Sequence, residues 1–272
     1  MSIFDKFLRV RELGIFSIII IVVVLASIID SRFLTIDSWR AVFLAIPLIL
    51  VMAMGQMMVI ICRHVDISIG SILAFAAVTI GFVFIYYPGT SLWMALLITA
   101  FVGMVMGLIN GVIVTRFNVH SIIVTLGTLS LYRGLVFIIS GGRQIDRNDI
   151  PVHIISFSQT SFLFSIPAIL IFSLIIVLIT HLIMRHSVLG REIYATGSNP
   201  EAAHLKGINV NKVTLFCFGV CGMLAGVAGL FYASRFGYVN PGVTGVGIEF
   251  IVIAGVITVS YTHLTLPTKR IV

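Results

Sequence analysis

The chain has 272 residues, of which 59% are hydrophobic and 10% charged, a balance that excludes a soluble globular domain, where about a quarter of residues carry charge. Its formal net charge of +7 comes from Lys and Arg residues set between apolar runs, not gathered in one patch, which excludes a nucleic-acid surface and fits basic connections on one side of a membrane. Cys62, Cys217 and Cys221 lie in or at apolar runs with neither a disulfide framework nor zinc spacing, so no metal and no cofactor is expected.

A membrane-crossing helix needs about 20 apolar residues. Seven runs approach that length: Leu13–Ile29, Ala41–Cys62, Ile67–Tyr87, Leu92–Thr115, Ile122–Ser140, Phe162–Met184 and Val213–Ser234. An eighth, Gly245–Val259, is shorter. The expected fold is all-α, a polytopic transmembrane helix bundle of seven to eight spans in a single membrane domain over residues 1–259. Lys6, Arg9 and Arg11 precede the first run and predict a cytoplasmic N-terminus. The first run is longer than a signal-peptide core and lacks a small-x-small cleavage site, so it reads as a retained span. Counting crossings from there puts Arg63/His64, Arg116 and the connection 185–212, with Arg185, Arg191, Lys206 and Lys212, inside. The outside connections hold Arg32, Arg40, Arg143 and Arg147, nearly balanced by Asp30, Asp37, Asp146 and Asp149.

Small residues recur at helical spacing, Gly103, Gly107 and Gly111 in one row and Gly222 with Gly226 in another. Such rows let helices approach closely in lipid, where hydrophobicity does not drive association. Two charges fall at or within apolar sequence, Asp66 and Arg133, and an ionisable group there faces protein or water. The Asp66 carboxylate or the Ser68 hydroxyl is placed to cap the first amides of the third span. Arg133 either snorkels outward or lines a polar pathway. Gln56, Asn110, Thr125 and Thr128 are either pathway liners or helix–helix hydrogen bonds. The segment Asn199-Pro200-Glu201-Ala202-Ala203-His204-Leu205-Lys206-Gly207 is a polar, basic insertion between two long apolar runs, which marks a docking place.

Three segments together resemble the membrane-spanning permease subunits of bacterial ATP-binding-cassette importers for ribose-type sugars and for the furanosyl signal autoinducer-2. They are Val65–Ile72; Gly107-Leu108-Ile109-Asn110-Gly111 through Ile123–Thr128 and Tyr132-Arg133-Gly134 to Gly141-Gly142; and Leu189-Gly190-Arg191 through Tyr194–Ala203 and Gly207-Ile208 to Gly222–Gly226 and Glu249. The resemblance leans towards the autoinducer-2 permeases, with rhamnose-type permeases next, because Arg63-His64 stands where many ribose permeases have Gly-Gly. Val119-His120-Ser121-Ile122 departs from the proline-containing turn common in the family. The resemblance implies a multi-pass bacterial inner-membrane protein working by alternating access. Its implied partners are a separate ATP-binding-cassette ATPase, a periplasmic or lipid-anchored solute-binding protein at the outer loops, 141–159 above all, and a second permease copy, identical or homologous.

In this reading 199–207 is a short cytoplasmic helix that lies in a groove of the ATPase. Pro200 suits its first position and Glu201 its positive N-terminal end. Ala202 and Ala203 give it a small surface, and Gly207 ends it. The sequence has no Gly-x-x-x-x-Gly-Lys-Ser/Thr loop, so nucleotide would bind the separate subunit. The alternative of an ion- or proton-coupled carrier needs a relay of embedded acids or histidines, and the runs offer only Asp66, Arg133 and His181. No catalytic residues are expected: there is no His-Glu-x-x-His or Gly-x-Ser-x-Gly pattern, and His181 and His186 straddle a helix end. Family members continue with glycine-rich sequence and further spans where this chain turns to Ser260–Arg270. Residues 260–272 are therefore expected to be an unrelated tail on a chain that lacks the family's C-terminal spans.

Overall fold

The computed structural model describes residues 11–30, 32–160 and 166–264, with side chains from 16 to 258. Lys6, Arg9, the start of the run at Phe162 and the tail beyond Leu264 lie outside the described residues. Eleven α-helices follow in order among those residues: α1 (Arg11–Ile29), α2 (Ile36–Ile61), α3 (Ile69–Tyr86), α4 (Leu92–Phe117), α5 (Ser121–Ser140), α6 (Val152–Gln159), α7 (Ala168–His186), α8 (Val188–Ser198), α9 (Pro200–Leu205), α10 (Val210–Phe236) and α11 (Ile248–Leu264). Six of them, α2, α3, α4, α5, α7 and α10, are long and apolar enough to cross a membrane, and Phe16–Ile29 and Ile248–Thr258 are shorter apolar stretches. Each of the eight apolar runs thus becomes a helix. The backbone stays helical through Ser260–Leu264, past the point where the apolar run ends.

The chain divides into two compact units, one ending at Phe43 and one from Leu44 onward. The first contains α1, whose exposed face includes Ile18, Ile21, Leu25 and Ile28, and a turn in which Asp30 Oδ1 accepts the Arg32 amide.

In the second unit α10 and α3 are the most enclosed spans: 78% and 67% of their most apolar stretch is buried, against 28% for each of α4, α5 and α7. α10 packs most extensively on α4 and next on α3. The glycine rows explain the α10–α4 crossing. A methyl built on Gly103 would lie 2.8 Å from Gly226 Cα, and one built on Gly222 would lie 2.7 Å from Gly107 Cα. The two helices therefore touch backbone to backbone, and dispersion between closely apposed main chains takes the place of side-chain interdigitation.

The connections sort to two ends. At one, Ser121 Oγ accepts the Val65 amide at 3.1 Å and Arg63 reaches the end of α8; this end carries Arg116, Arg185, Arg191, Lys206 and Lys212 as well. At the other, His153 Nε2 meets Thr90 O at 2.9 Å, and Ile145 and Val239 form an antiparallel bridge. Residues 141–159, expected as an outer loop, are largely ordered against the bundle. Ile145, Ile150 and Ile154 are buried, and the Ser158 hydroxyl donates to Ser234 O at 2.8 Å, fixing α6 on the end of α10.

Gly107→Leu drives a side chain into the α10 backbone and is expected to destabilise by about 1–3 kcal/mol, whereas Gly134→Ala, with nothing within 4 Å of the added carbon, is tolerated. Thermal unfolding in lipid nanodiscs checks both, and equal midpoints would refute the backbone-packing account.

Candidate functional site

The insertion between α7 and α10 folds into two short capped helices. Ser187 Oγ accepts the Gly190 amide at 3.0 Å and starts α8. Asn199 Oδ1 accepts the Ala202 amide at 3.1 Å and starts α9, with Pro200 at its first position and Glu201 in its first turn. The stop is a full Schellman closure: the Gly207 amide donates to His204 O at 2.9 Å and the Ile208 amide to Ala203 O at 3.1 Å. Gly207 has φ +84°, the left-handed conformation that glycine adopts without steric cost. Asn209 Oδ1 then accepts the Lys212 amide at 3.1 Å and opens α10. Between α7 and α10 the chain thus runs through α8 and the six-residue α9, each started by a side-chain cap.

The face α9 presents differs in part from the expected one. Ala203 is buried, whereas Leu205 is 87% exposed beside exposed Glu201, Ala202, His204 and Lys206. Ala203 therefore seats the helix and Leu205 is its apolar projection. A recess of about 360 Å³ lined by His204, Gly207, Ile208 and Asn209 lies beside it. Sequence reasoning missed Leu205, because six residues are too few to show an amphipathic period.

Behind α9 lies the connection 62–68 between α2 and α3, where Asp66 and Ser68 are fully buried. Asp66 Oδ1 accepts from the Ser68 amide at 2.8 Å and from the Ser68 hydroxyl at 2.7 Å. Asn110 Nδ2, from α4, donates to Ser68 Oγ at 2.8 Å and more distantly to Asp66 Oδ2 at 3.4 Å. The Tyr132 hydroxyl, from α5, donates to Met106 O at 2.9 Å and lies 3.1 Å from Asn110 Oδ1. The Gln56 amide, turned to match, pairs with both the N–H and the C=O of Asp66 at 3.2 Å each. Side chains from α2, α4 and α5 thus converge on this turn, and Asn110 of α4 is the one that reaches the Asp66 carboxylate itself.

The expected cap takes another form. The Asp66 carboxylate bonds the amide of Ser68 itself, two residues on, which is an Asx turn, and the Ser68 side chain makes no capping bond to α3. Thr125, on α5, lies against the same connection: its hydroxyl donates to Ser121 O at 2.9 Å and sits 3.4 Å from Val65 O. Thr128 bonds only within α5, to Thr125 O at 3.4 Å. Gln56, Asn110 and Thr125 are thus buried tertiary hydrogen-bond groups in this conformation. His64, in the same connection, packs against the Phe218 ring; burial, then the neighbouring His120, holds its pKa below the usual histidine value.

Arg133 Nη1 donates to Thr244 O at 2.6 Å, tying α5 to the segment that leads into α11. There Glu249 is buried, with Oε1 accepting the Gly247 amide at 3.3 Å and Oε2 against Gly70. No cluster of metal-ligating side chains occurs among the described residues.

Residues 39–262 match the family described as "Branched-chain amino acid transport system / permease component". The chain belongs to that permease family. The permease is also 34% identical over 230 residues to the "Autoinducer 2 import system permease protein LsrC" of Yersinia pseudotuberculosis, covering 85% of this chain and 64% of the relative. The same identity and length hold for the proteins of that name in Yersinia enterocolitica and Yersinia pestis, of which 62% and 64% are covered. The permease thus spans a little under two thirds of the length of these relatives. No solved structure matches it.

Asn110→Ala strips hydrogen bonds from two buried acceptors and is expected to cost about 1–3 kcal/mol, while Thr128→Val, which loses one long bond inside its own helix, costs less. Thermal midpoints of the two variants rank them, and the reverse order would refute the central place of Asn110.

Proposed function

We propose that the permease is the membrane-spanning subunit of an ATP-binding-cassette importer carrying autoinducer-2 or a simple monosaccharide such as ribose or rhamnose. The observation that carries this reading is α9: a short helix capped at both ends and held between two spans, with Leu205 projecting from a basic end of the bundle. A helix of that kind is suited to seat in a groove of an ATPase, which moves it as a lever. Ala203 anchors it, Glu201 complements the positive end of its dipole, and Asn199, Pro200, Ala202 and Gly207 set its start, contact surface and stop. The autoinducer-2 import names of the relatives favour that ligand, and ribose or rhamnose fit the same neutral, hydroxyl-rich class.

The rest of the assembly follows from the same reading. The sequence lacks a phosphate-binding loop, so ATP is hydrolysed on a separate subunit. The basic end with α9 faces the cytoplasm of a bacterium, and the N-terminus lies on that side of the inner membrane. A periplasmic or lipid-anchored solute-binding protein docks at the opposite end, around residues 141–159, and a second permease subunit, this chain or a relative, completes the pathway. Gln56, Asp66, Asn110 and Thr125 are joined by hydrogen bonds in or against the connection 62–68, while Thr128 bonds within α5 and Arg133 ties α5 to the segment before α11. The role of Gln56, Asp66, Asn110 and Thr125 is to hold the connection whose movement opens the transport pathway.

Uptake of labelled autoinducer-2, ribose and rhamnose by cells expressing the permease with its ATPase and binding protein tests the ligand. ATP-dependent uptake of one of the three is expected, and uptake of none would overturn the substrate class. Docking is tested by Glu201→Lys and by Gly207→Pro, whose ring cannot adopt φ +84°. Both are expected to abolish copurification of the ATPase while leaving membrane insertion intact, and retained copurification of both would reject α9 as the docking helix.

A further inference from the structure

The C-terminus of α2 closes like that of α9, with one difference. The Arg63 amide donates to Ile60 O at 2.9 Å and the His64 amide to Val59 O at 3.1 Å, a Schellman closure with Arg63 at the left-handed position, φ +67°. Glycine is the default there, and a side chain in this conformation carries a steric cost. Arg63 uses the position. Its Nε donates to Gly197 O and its Nη2 to Ser198 O, both at 2.6 Å. These are the last two carbonyls of α8, immediately before the Asn199 cap of α9.

The contact extends to the backbones. A methyl built on Gly197 would lie 2.9 Å from the Ile61 carbonyl carbon, so the end of α8 rests directly on the end of α2. On the other side of Arg63, three residues along, begins the buried Asp66 turn.

We propose that Arg63 is a positioning residue that transmits displacement of α9 to the Asp66 connection, coupling the ATPase to the transport pathway; this rests on the docking role proposed for α9. The planar guanidinium grips two consecutive carbonyls at once, which fixes direction as well as distance. Pulling or tilting α9 therefore moves Arg63, which holds the left-handed position of the α2 closure and precedes the Asp66 turn by three residues. A lysine at this position keeps the charge and loses the two-pronged grip.

Arg63→Gly separates a coupling role from a structural one, because it removes the tie and also relieves the left-handed backbone. In nanodiscs containing the chain alone, amide exchange at Ala202–Leu205 is expected to quicken on the order of tenfold, with a thermal midpoint equal to or above that of the parent. In the complex with ATPase and binding protein, the ATPase is expected to copurify as before. Uptake of labelled autoinducer-2, ribose or rhamnose per ATP hydrolysed, whichever the parent transports, is expected to fall by roughly tenfold, and Arg63→Lys is expected to rescue little of it. Unchanged exchange, or a parent-like uptake per ATP with copurification intact, would overturn the tie. Failure of the ATPase to copurify even with the parent chain would overturn the docking reading and this inference with it, and the exchange result distinguishes that outcome from failure of the tie alone.

Discussion

Inside an apolar bundle every backbone N–H and C=O needs a partner, and a helix supplies them all. The connection 62–68 is where this supply fails, since α2 has ended and α3 has not begun. The other features of the interior follow from how that gap is filled. Gln56 pairs with both backbone groups of Asp66, Ser121 Oγ takes the Val65 amide and the Thr125 hydroxyl lies 3.4 Å from Val65 O. The Asp66 carboxylate folds the turn around the Ser68 amide. These partners and Asn110 come from α2, α4 and α5, so the turn has its hydrogen bonds only with those helices in place around it.

The glycine rows make that assembly possible. Asn110 lies between Gly107 and Gly111 on α4, and the absence of side chains at Gly103 and Gly107 lets α4 lie on the α10 backbone. Larger residues there would push α4 outward and lengthen the 2.8 Å bond from Asn110 to Ser68. A small-residue row that reads as generic helix packing thus also sets the reach of a polar side chain on the next face of the helix. Tyr132 closes the network from α5 by donating to Met106 O, one turn back along the same α4 face.

Local features were legible in the sequence. Apolar run length pointed to the helices, Gly103 and Gly222 to a close crossing, and Asn199, Pro200 and Gly207 to the start and stop of α9, because caps and breakers act within a few residues. What depends on distant partners was not legible. Nothing near Gln56 indicates that it satisfies the backbone of Asp66, and nothing near Arg133 indicates Thr244. The order in 141–159 was hidden for the same reason: Ile145, Ile150 and Ile154 look like isolated apolar residues in a polar loop until α10 and Val239 supply the surface they bury against.

The two Schellman closures, at Gly207 and at Arg63, show how a short element can carry force. A flexible loop would absorb displacement of its tip, because each unconstrained residue adds two soft dihedrals. Here the six residues of α9 are capped at both ends, and the segment runs into α10 through the Asn209 cap without a free stretch. On the other side α8 ends on the α2 terminus through Arg63 and Gly197. Displacement of the exposed Leu205 face therefore has two stiff routes into the bundle, α10 with its glycine packing on α4 and the Arg63 turn with its link to Asp66. Both routes lead towards Asn110, which bonds Ser68 and Asp66 from α4, so under the docking proposal the hydrogen bonds that hold the connection lie in the path of a displaced α9.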